Sequence, residues 1–574
     1  MKEYVKQFKR QFILGPAFKL AEAILELFIP LLVAKIVDVG IANGDSAYIL
    51  KTGALMILLG ALGFSFAVIC QYSAATAQQG MGTLLRRDLY QKIQSLSKEQ
   101  QDYFSAGTLA TRLINDVNSV QSAVAMFIRL AFRWPFIILG SLLAAAILDL
   151  KLSVIFFVAA LLLSILLYFV LSRSLPIFRK IQEKTDILSA ITEDSLLGVR
   201  VIRAFQKSKF HQKQFGDVND KMTALSLRVT RLNACLNPLS FALLNLCIVL
   251  LIWFGGKRIS VGTLTGGQLI ALTNYMTQIL LSIMIFSNVV VIFIKAAASV
   301  ERIEEVLNTE PAMTEGKIEA FNTTKQTAIS FKDVSFSYAK SAQTAVEHVT
   351  FDIPKGAVFG MIGATGSGKS TILKLLCRLY DRKSGEIRIF GEDVTAYTFA
   401  ALHQGVHMVS QNNPLFAGTI YENLCCGRQD ISKEEAKEAL SLAMAEDFVS
   451  ALPKGLDAPV LEGGQNFSGG QKQRLCIARA LLGKAEILIF DDAFSALDFA
   501  TESAILKNLL RTKEDKTLLF ISQRVRALKG ADEIILIEDG TLQGIGTHQA
   551  LLKQNPLYQE ICTSQHIVDE EVQK

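Results

Sequence analysis

Six apolar runs fall within the first 300 residues, at about 12–40, 53–79, 130–149, 152–172, 239–260 and 268–295. Each is long enough to cross the roughly 30 Å hydrocarbon layer of a bilayer as a helix rising about 1.5 Å per residue. Backbone polar groups in lipid must be satisfied internally, so this half is expected to be an all-α bundle of six spanning helices. An even number of spans returns the chain to its starting side. The segments between runs two and three and between runs four and five hold Arg86, Arg87, Lys92 and Arg112, then Arg173, Arg179, Lys180, Arg200, Arg203 and Lys207. The bias of cations towards the inner face places these segments, and with them both termini, in the cytosol. Lys257 and Arg258 fall in an expected outer loop and run against the rule.

Beyond residue 325 the pattern changes to glycine-rich motifs with alternating strand and helix signals. The polar, unpatterned stretch "LNTEPAMTEGKIEAFNTTKQ" lies between the two regimes. The expected organisation is a transmembrane domain over residues 1–305, a linker over 306–325 and an α/β nucleotide-binding domain over 326–574. With 51% hydrophobic residues among 574, the chain is too apolar for an ordinary soluble protein and too charged to be wholly embedded. The eight cysteines are scattered with no C-x-x-C pair, which fits a reducing setting. The formal net charge of +6 clusters beside the spans and suits a solvated cytosolic face better than a nucleic-acid surface. The basic start "MKEYVKQFKR" leads into an apolar run with no small-residue cleavage site, so the first run reads as a retained span.

Charges inside a span are costly and therefore point to function or to pairing. Glu22 and Glu26 lie four residues apart on one face of the first run, with Lys19 and Lys35 nearby. They can pair within the bundle or form a site for cationic substrates. Asn245, Asn274, Gln278 and Asn288 could line the same cavity, and interhelical hydrogen bonding accounts for each as well. The 35 phenylalanines suit a greasy cavity or lipid contact.

The strand-like "AVFGMIG" runs into "GATGSGKST", residues 363–371, and then into "ILKLLCRLY". Gly363, Ala364, Thr365, Gly366, Ser367 and Gly368 let successive backbone N–H groups point inward and cradle phosphates at a helix N-terminus. Lys369 reaches the β and γ phosphates, and Ser370, followed by Thr371, is placed for Mg²⁺. Downstream come "MVSQNNPLF" with Gln411, "NFSGGQKQRLCIARAL", "ILIFDDAFSALD" and "TLLFISQRV", and upstream "ISFKDVSFSYAK" with Tyr338. In "ILIFDD" an apolar strand delivers Asp491 to a metal-nucleotide site, and Asp492 stands where a water-activating carboxylate belongs. An aspartate there falls short of a glutamate by about 1.5 Å, and a displacement of about 1 Å in a reacting group can cost roughly 100-fold in rate.

The order and spacing of these motifs resemble the nucleotide-binding domain of the ATP-binding cassette (ABC) superfamily fused to a six-span exporter-type membrane domain, over essentially the whole chain. The resemblance implies that Tyr338 stacks on adenine, Gln411 senses Mg²⁺ and relays to the spans, and Asp491 holds the metal's water shell. Ser468, Gly469, Gly470 and Gln471 match the family signature, which binds the γ-phosphate of ATP held by the opposite subunit. Asp498 matches the loop joining the two sites, and Phe467 replaces the usual leucine of the signature. Two positions depart from the pattern: Asp492 replaces the catalytic glutamate and Gln523 the switch histidine. Glutamine cannot take up a proton, so the site is expected to hold Mg-ATP and hydrolyse it poorly.

One phosphate loop and one six-span set make half of a two-fold machine, which needs a second half-transporter subunit. The expectation is the degenerate-site subunit of a heterodimeric exporter of hydrophobic, often cationic molecules in a plasma membrane. Residues 104–108 and 198–203 are the candidate couplers of ATP to the spans. No peptidase-like stretch precedes the first run, which counts against an exporter that matures leader peptides. A homodimeric lipid or drug exporter with slow sites is one alternative. A regulatory or channel-like membrane protein that uses ATP only as a ligand is another.

Overall fold

The computed structural model describes residues 1–338, 343–411, 414–483, 485–512 and 516–566. The chain divides into two compact units, one of Met1–Gln94 with Ser105–Thr309 and the other of Ser95–Phe104 with Glu310–Lys574. The last helix of the first unit, Gly266–Asn308, runs three residues past the boundary expected at 305. The seven-residue helix Lys98–Phe104, between the second and third apolar runs, segregates with the nucleotide-binding unit.

Five helices of the first unit are long and apolar enough to cross a membrane: Ser46–Ser95, Ala106–Leu148, Leu150–Leu197, Ser208–Ser260 and Gly266–Asn308. The longest has 53 residues, which at about 1.5 Å per residue is more than twice the thickness of the hydrocarbon layer. Much of its length therefore lies beyond the layer, as the long polar-patterned arms require. A sixth helix, Lys9–Lys35, has the length to span at 27 residues but carries Lys19, Glu22 and Glu26, and its composition falls short of the other five.

Local chemistry fixes the corners of this bundle. Thr265 caps the final helix in a reciprocal box with Gln268, and Asp38 Oδ1 accepts from Gly267 N at 2.7 Å. Asp149 caps the helix Leu150–Leu197 by accepting from Lys151 N at 2.9 Å and Leu152 N at 3.0 Å. The same buried carboxylate pairs with Arg258, one of the two cations that run against the charge bias. Its charge is thus matched locally, which explains why it is tolerated there. The core between helices is apolar, built on Phe156, Leu251, Leu272, Tyr275 and Ile279.

The second unit has two large sheets and a short two-stranded one that pairs Gly418–Thr419 with Pro459–Val460. A four-stranded antiparallel sheet orders Val346–Pro354, Thr327–Phe336, Ser384–Ile389 and Glu392–Asp393. A six-stranded sheet orders Thr541–Gly546, Glu533–Glu538, Val358–Ile362, Thr517–Ile521, Ile487–Asp491 and Val406–Val409, parallel throughout except at the Thr541–Gly546 edge. Val358–Ile362 and Thr517–Ile521 are buried at every position, which is why they read as continuous apolar runs and not as alternations. Each face of this sheet carries its own apolar cluster.

Candidate functional site

The parallel strands end at one level. Ile521 pairs with Met361 on one side and Asp491 on the other, and Val409 pairs with Phe490. The residues that follow these ends are Gly363, Gln411, Asp492 and Gln523, so the sheet brings together side chains 160 positions apart in sequence. Ligands of open α/β sheets bind at this carboxyl edge.

The phosphate loop is shaped by glycines that nothing else could replace. Gly366 and Gly368 have φ of 86° and 99°, in the left-handed region that L side chains avoid. A Cβ on Gly363 would collide with the Ile537 carbonyl, and one on Gly368 with the Ala345 carbonyl. Thr365, Gly366 and Ser370 remain exposed while Ser367 and Lys369 are buried. Lys369 Nζ donates to the Gly363 carbonyl at 2.9 Å, the Ala364 carbonyl at 2.7 Å and Ser367 Oγ at 3.2 Å. Burial pulls the Lys369 pKa below its ordinary value, against the opposing pull of Asp491 and Asp492. The ammonium is thus held at the centre of the loop, where it would be repositioned onto phosphate oxygens. The cradle, the buried cation and the exposed Ser370 hydroxyl fit a Mg²⁺–nucleotide.

Asp491 ends its strand half-buried. Burial raises its pKa, the hydrogen bond from Ser370 lowers it, and the neighbouring Asp492 charge raises it again. Ser370 and Asp491 are the pair that would hold Mg²⁺. Asp492 follows with φ of 48°, its N–H donating to the Ile521 carbonyl at 3.0 Å and its Oδ2 lying 3.4 Å from Gln411 Nε2. Gln523 lines a cavity of about 190 Å³ together with Gly363, Ala364 and Glu538. Its carbonyl accepts from Gln565 Nε2 at 2.7 Å, and Gln565 Oε1 accepts from Val525 N, so one glutamine pins the whole switch turn.

Tyr338 stands beside the loop, its hydroxyl 3.2 Å from Thr371 Oγ1 and its ring edge-on to Phe336 and Tyr380. Tyr380 in turn donates to Asp102 of the helix Lys98–Phe104 at 2.7 Å. That hydrogen bond joins the aromatic cluster to a segment from between two apolar runs, and no sequence motif marked it.

The signature forms a helix start. Ser468 caps Gly469–Leu481 in a reciprocal box with Gln471; Ser468 lies exposed and Gln471 half-buried. Gln473 Nε2 donates to Ser495 Oγ at 3.1 Å and its Oε1 accepts from Ala496 N at 3.0 Å, tying the signature helix to the loop that ends at Asp498. A Cβ on Gly470 would sit 3.1 Å from the Ala496 carbonyl, a tight contact that the loop would have to shift to relieve. Asp498 accepts from Thr501 N and Oγ1, which hold its pKa below the ordinary carboxylate value. Phe467 is buried edge-on to Phe448, so its replacement of leucine is a packing change.

The residues singled out in the apolar runs are not one cluster. Glu22 pairs with Lys19 at 2.7 Å and Glu26 with Arg133 at 2.7 Å. Gln278 accepts from Ser141 Oγ at 3.5 Å, Asn274 bonds the Ile270 carbonyl within its own helix, and Asn245 is exposed on another helix. The Asn288 side chain lies outside the described residues.

A phosphate-cradling loop at the carboxyl edge of a parallel sheet, on one chain with helices able to cross a membrane, defines a membrane-bound P-loop ATPase. Residues 12–284 match the family model described as ABC transporter transmembrane region, and residues 346–495 match the one described as ABC transporter. An uncharacterized ABC transporter ATP-binding protein of Mycobacterium tuberculosis is 33% identical over 99% of this chain and 98% of its own length. YfiB of Bacillus subtilis, of the same description, is 36% identical over 95% of both chains. The ATP-dependent lipid A-core flippase of Vibrio parahaemolyticus is 29% identical over 97% of this chain and 96% of its own. A bacterial Atm1-family ABC exporter solved with ATP bound shares the fold at a TM-score of 0.80 and 23% identity, covering 98% of each chain. The chain belongs to the ABC transporter family, with a transmembrane region and an ATP-hydrolysing region fused in the exporter-type architecture.

Proposed function

We propose that this chain is one half of an ATP-driven exporter of hydrophobic or amphipathic small molecules. In this reading it sits in the plasma membrane with its nucleotide-binding unit and both termini in the cytosol, and the helix Lys9–Lys35 is the sixth span. Its own ATP site is the degenerate one of a heterodimer, and its signature serves the partner half-transporter's ATP. The observation that carries the reading is the pair Asp492 and Gln523 at adjacent strand ends, beside a phosphate loop with all its binding groups. Tyr338 would stack on adenine, the loop from Gly363 to Thr371 and Lys369 would hold phosphates, and Ser370, Gln411 and Asp491 would hold Mg²⁺. Ser468, Gly469, Gly470 and Gln471 present a helix N-terminus to the partner's γ-phosphate. Residues 104–108 and 198–203 would carry the coupling. The segregation of the adjoining Lys98–Phe104 with the nucleotide-binding unit supports the first of these.

The test is ATP-dependent accumulation of an amphipathic dye in inverted membrane vesicles, with this chain alone and with the half-transporter encoded beside it. Accumulation requiring both chains is expected. Nucleotide-gated conductance without accumulation would instead support a channel. The relative named a lipid A-core flippase favours one second reading, a homodimer that moves a lipid, and accumulation by this chain alone would establish it.

A further inference from the structure

The charges of the first helix do not balance. Lys19 lies roughly 10 Å into the first apolar run at 1.5 Å per residue, so its surroundings are those of the inner leaflet in the orientation proposed above. Lys19 is paired with Glu22, and Arg133 with Glu26. Arg129 lies one turn before Arg133, within the π-helical turn Phe127–Ala131. The Phe12 and Phe127 rings lie 6.0 Å apart, Gly15 abuts Ile128, and Glu26 meets Arg133, so the turn that carries Arg129 runs alongside the stretch of the first helix that holds Lys19 and Glu22. Arg129 makes no ion pair or hydrogen bond among the described residues, so three cations meet two carboxylates and one positive charge is left over.

Hydrogen-bond accounting finds the same deficit independently. Arg129 Nε, Arg133 Nε and Trp134 Nε1 are buried without a partner, and Trp134 is only 5% exposed, with the Arg133 guanidinium 4.9 Å from its ring centroid. All three orphans are donors, and a guanidinium or an indole N–H has no acceptor capacity. Buried donors left unmet are expensive, and an arginine inside an apolar bundle more so. What the cluster lacks is an acceptor carrying negative charge. Neither carboxylate supplies it, since each is already engaged, and a cationic ligand would deepen the imbalance.

We propose that Arg129, with Arg133 and Trp134 Nε1, receives the oxyanion headgroup of an amphiphile at the inner-leaflet end of the membrane unit. That the bound molecule is transported rests on the exporter reading; that it binds does not. The full-length chain in phosphatidylcholine nanodiscs is dialysed to equilibrium against radiolabelled dodecyl phosphate, with empty nanodiscs as the blank. Dodecyl phosphate is expected to bind, with affinity reduced at least roughly tenfold by Arg129→Gln, less by Arg129→Lys, and about threefold by Trp134→Phe. Inorganic phosphate and dodecyltrimethylammonium are expected not to displace it. An affinity within about twofold of wild type in Arg129→Gln would overturn the site. Displacement by inorganic phosphate as effective as by dodecyl phosphate would overturn the amphiphile, and equal binding of dodecyltrimethylammonium would overturn the charge argument. If Arg129→Gln does not fold, Arg129→Lys and Trp134→Phe carry the comparison, and unchanged affinity in both overturns it. Binding lost while vesicle accumulation persists sinks this site alone; accumulation absent while binding persists sinks the exporter reading.

Discussion

Asp492→Glu would place the family's usual residue at the proposed catalytic position, and it alone is expected to restore little. The longer side chain reaches about 1.5 Å further, but it is grafted onto a backbone with φ of 48°. Left-handed backbone costs an L residue roughly 1–2 kcal/mol, and aspartate and asparagine bear it best because their short polar side chains bond locally. Asp492→Glu should therefore cost about 1 kcal/mol of stability, visible as a lower thermal midpoint. The gain in rate is conditional. A positioned general base is worth about 100-fold to 10,000-fold, but groups acting as a unit are strongly non-additive. Gln523 beside Gly363 and Ala364 can donate a hydrogen bond but can neither take up a proton nor carry the charge of a histidine beside the γ-phosphate. Asp492→Glu and Gln523→His are each expected to raise phosphate release by the purified chain less than about threefold, and the double variant at least about 100-fold. Steady-state phosphate release with ATP binding checked separately decides it. A single Asp492→Glu within about threefold of the double variant would refute the claim that both positions disable the site together.

In the heterodimer proposed above, Ser468→Ala should damage hydrolysis roughly 100-fold while Asp492→Asn costs little, since on that reading the first removes a donor at the partner's productive site. The opposite ranking in steady-state rates would reverse the division of labour. Asp116→Asn should destabilise the membrane unit by about 2 kcal/mol: the buried carboxylate accepts from Ser299 Oγ and Arg302 Nε, and the half-exposed Arg302 lessens the loss. Thermal melting of the full chain in nanodiscs checks it. Burial lowers the His407 pKa, with its Nδ1 3.0 Å from the Ala480 carbonyl, so the folded unit prefers the neutral ring. The stability this contributes is present above the ordinary histidine value near 6.5 and is lost as pH falls through the lowered folded value. Melts of wild type and His407→Gln between neutral and mildly acidic pH should converge as pH falls.

The nucleotide site was legible because phosphate chemistry is demanding locally. Gly363, Gly366 and Gly368 are each required by a collision or a left-handed φ, and Lys369 and Ser370 follow at fixed offsets, so one short segment encodes the whole cradle. The contacts that were not legible are those between segments. Gln473 holds Ser495 and Ala496 through a helix side, and Tyr380 reaches Asp102 across nearly half the chain. The left-handed backbone of Asp492 was equally hidden. It supplies a local preference for aspartate that the reach argument alone did not contain.

The membrane half shows the same limit in its charges. Read along one helix, Glu22 and Glu26 four residues apart form an acidic face and invite a cation. Read across helices, Arg133 from 107 positions away takes Glu26, Lys19 takes Glu22, and Arg129 is the charge without a match among the described residues. In an apolar bundle the free energy of a charge is set by its nearest opposite charge, because little solvent screens either. The relevant count is therefore the sum over a cross-helix neighbourhood, and helix periodicity supplies only one strand of that sum. The sign of a binding site in such a bundle can invert when a second helix is added. The inversion from a cationic to an anionic ligand here follows from two arginines on the helix Ala106–Leu148, a segment whose own periodicity gives no reason to place them beside Glu22 and Glu26.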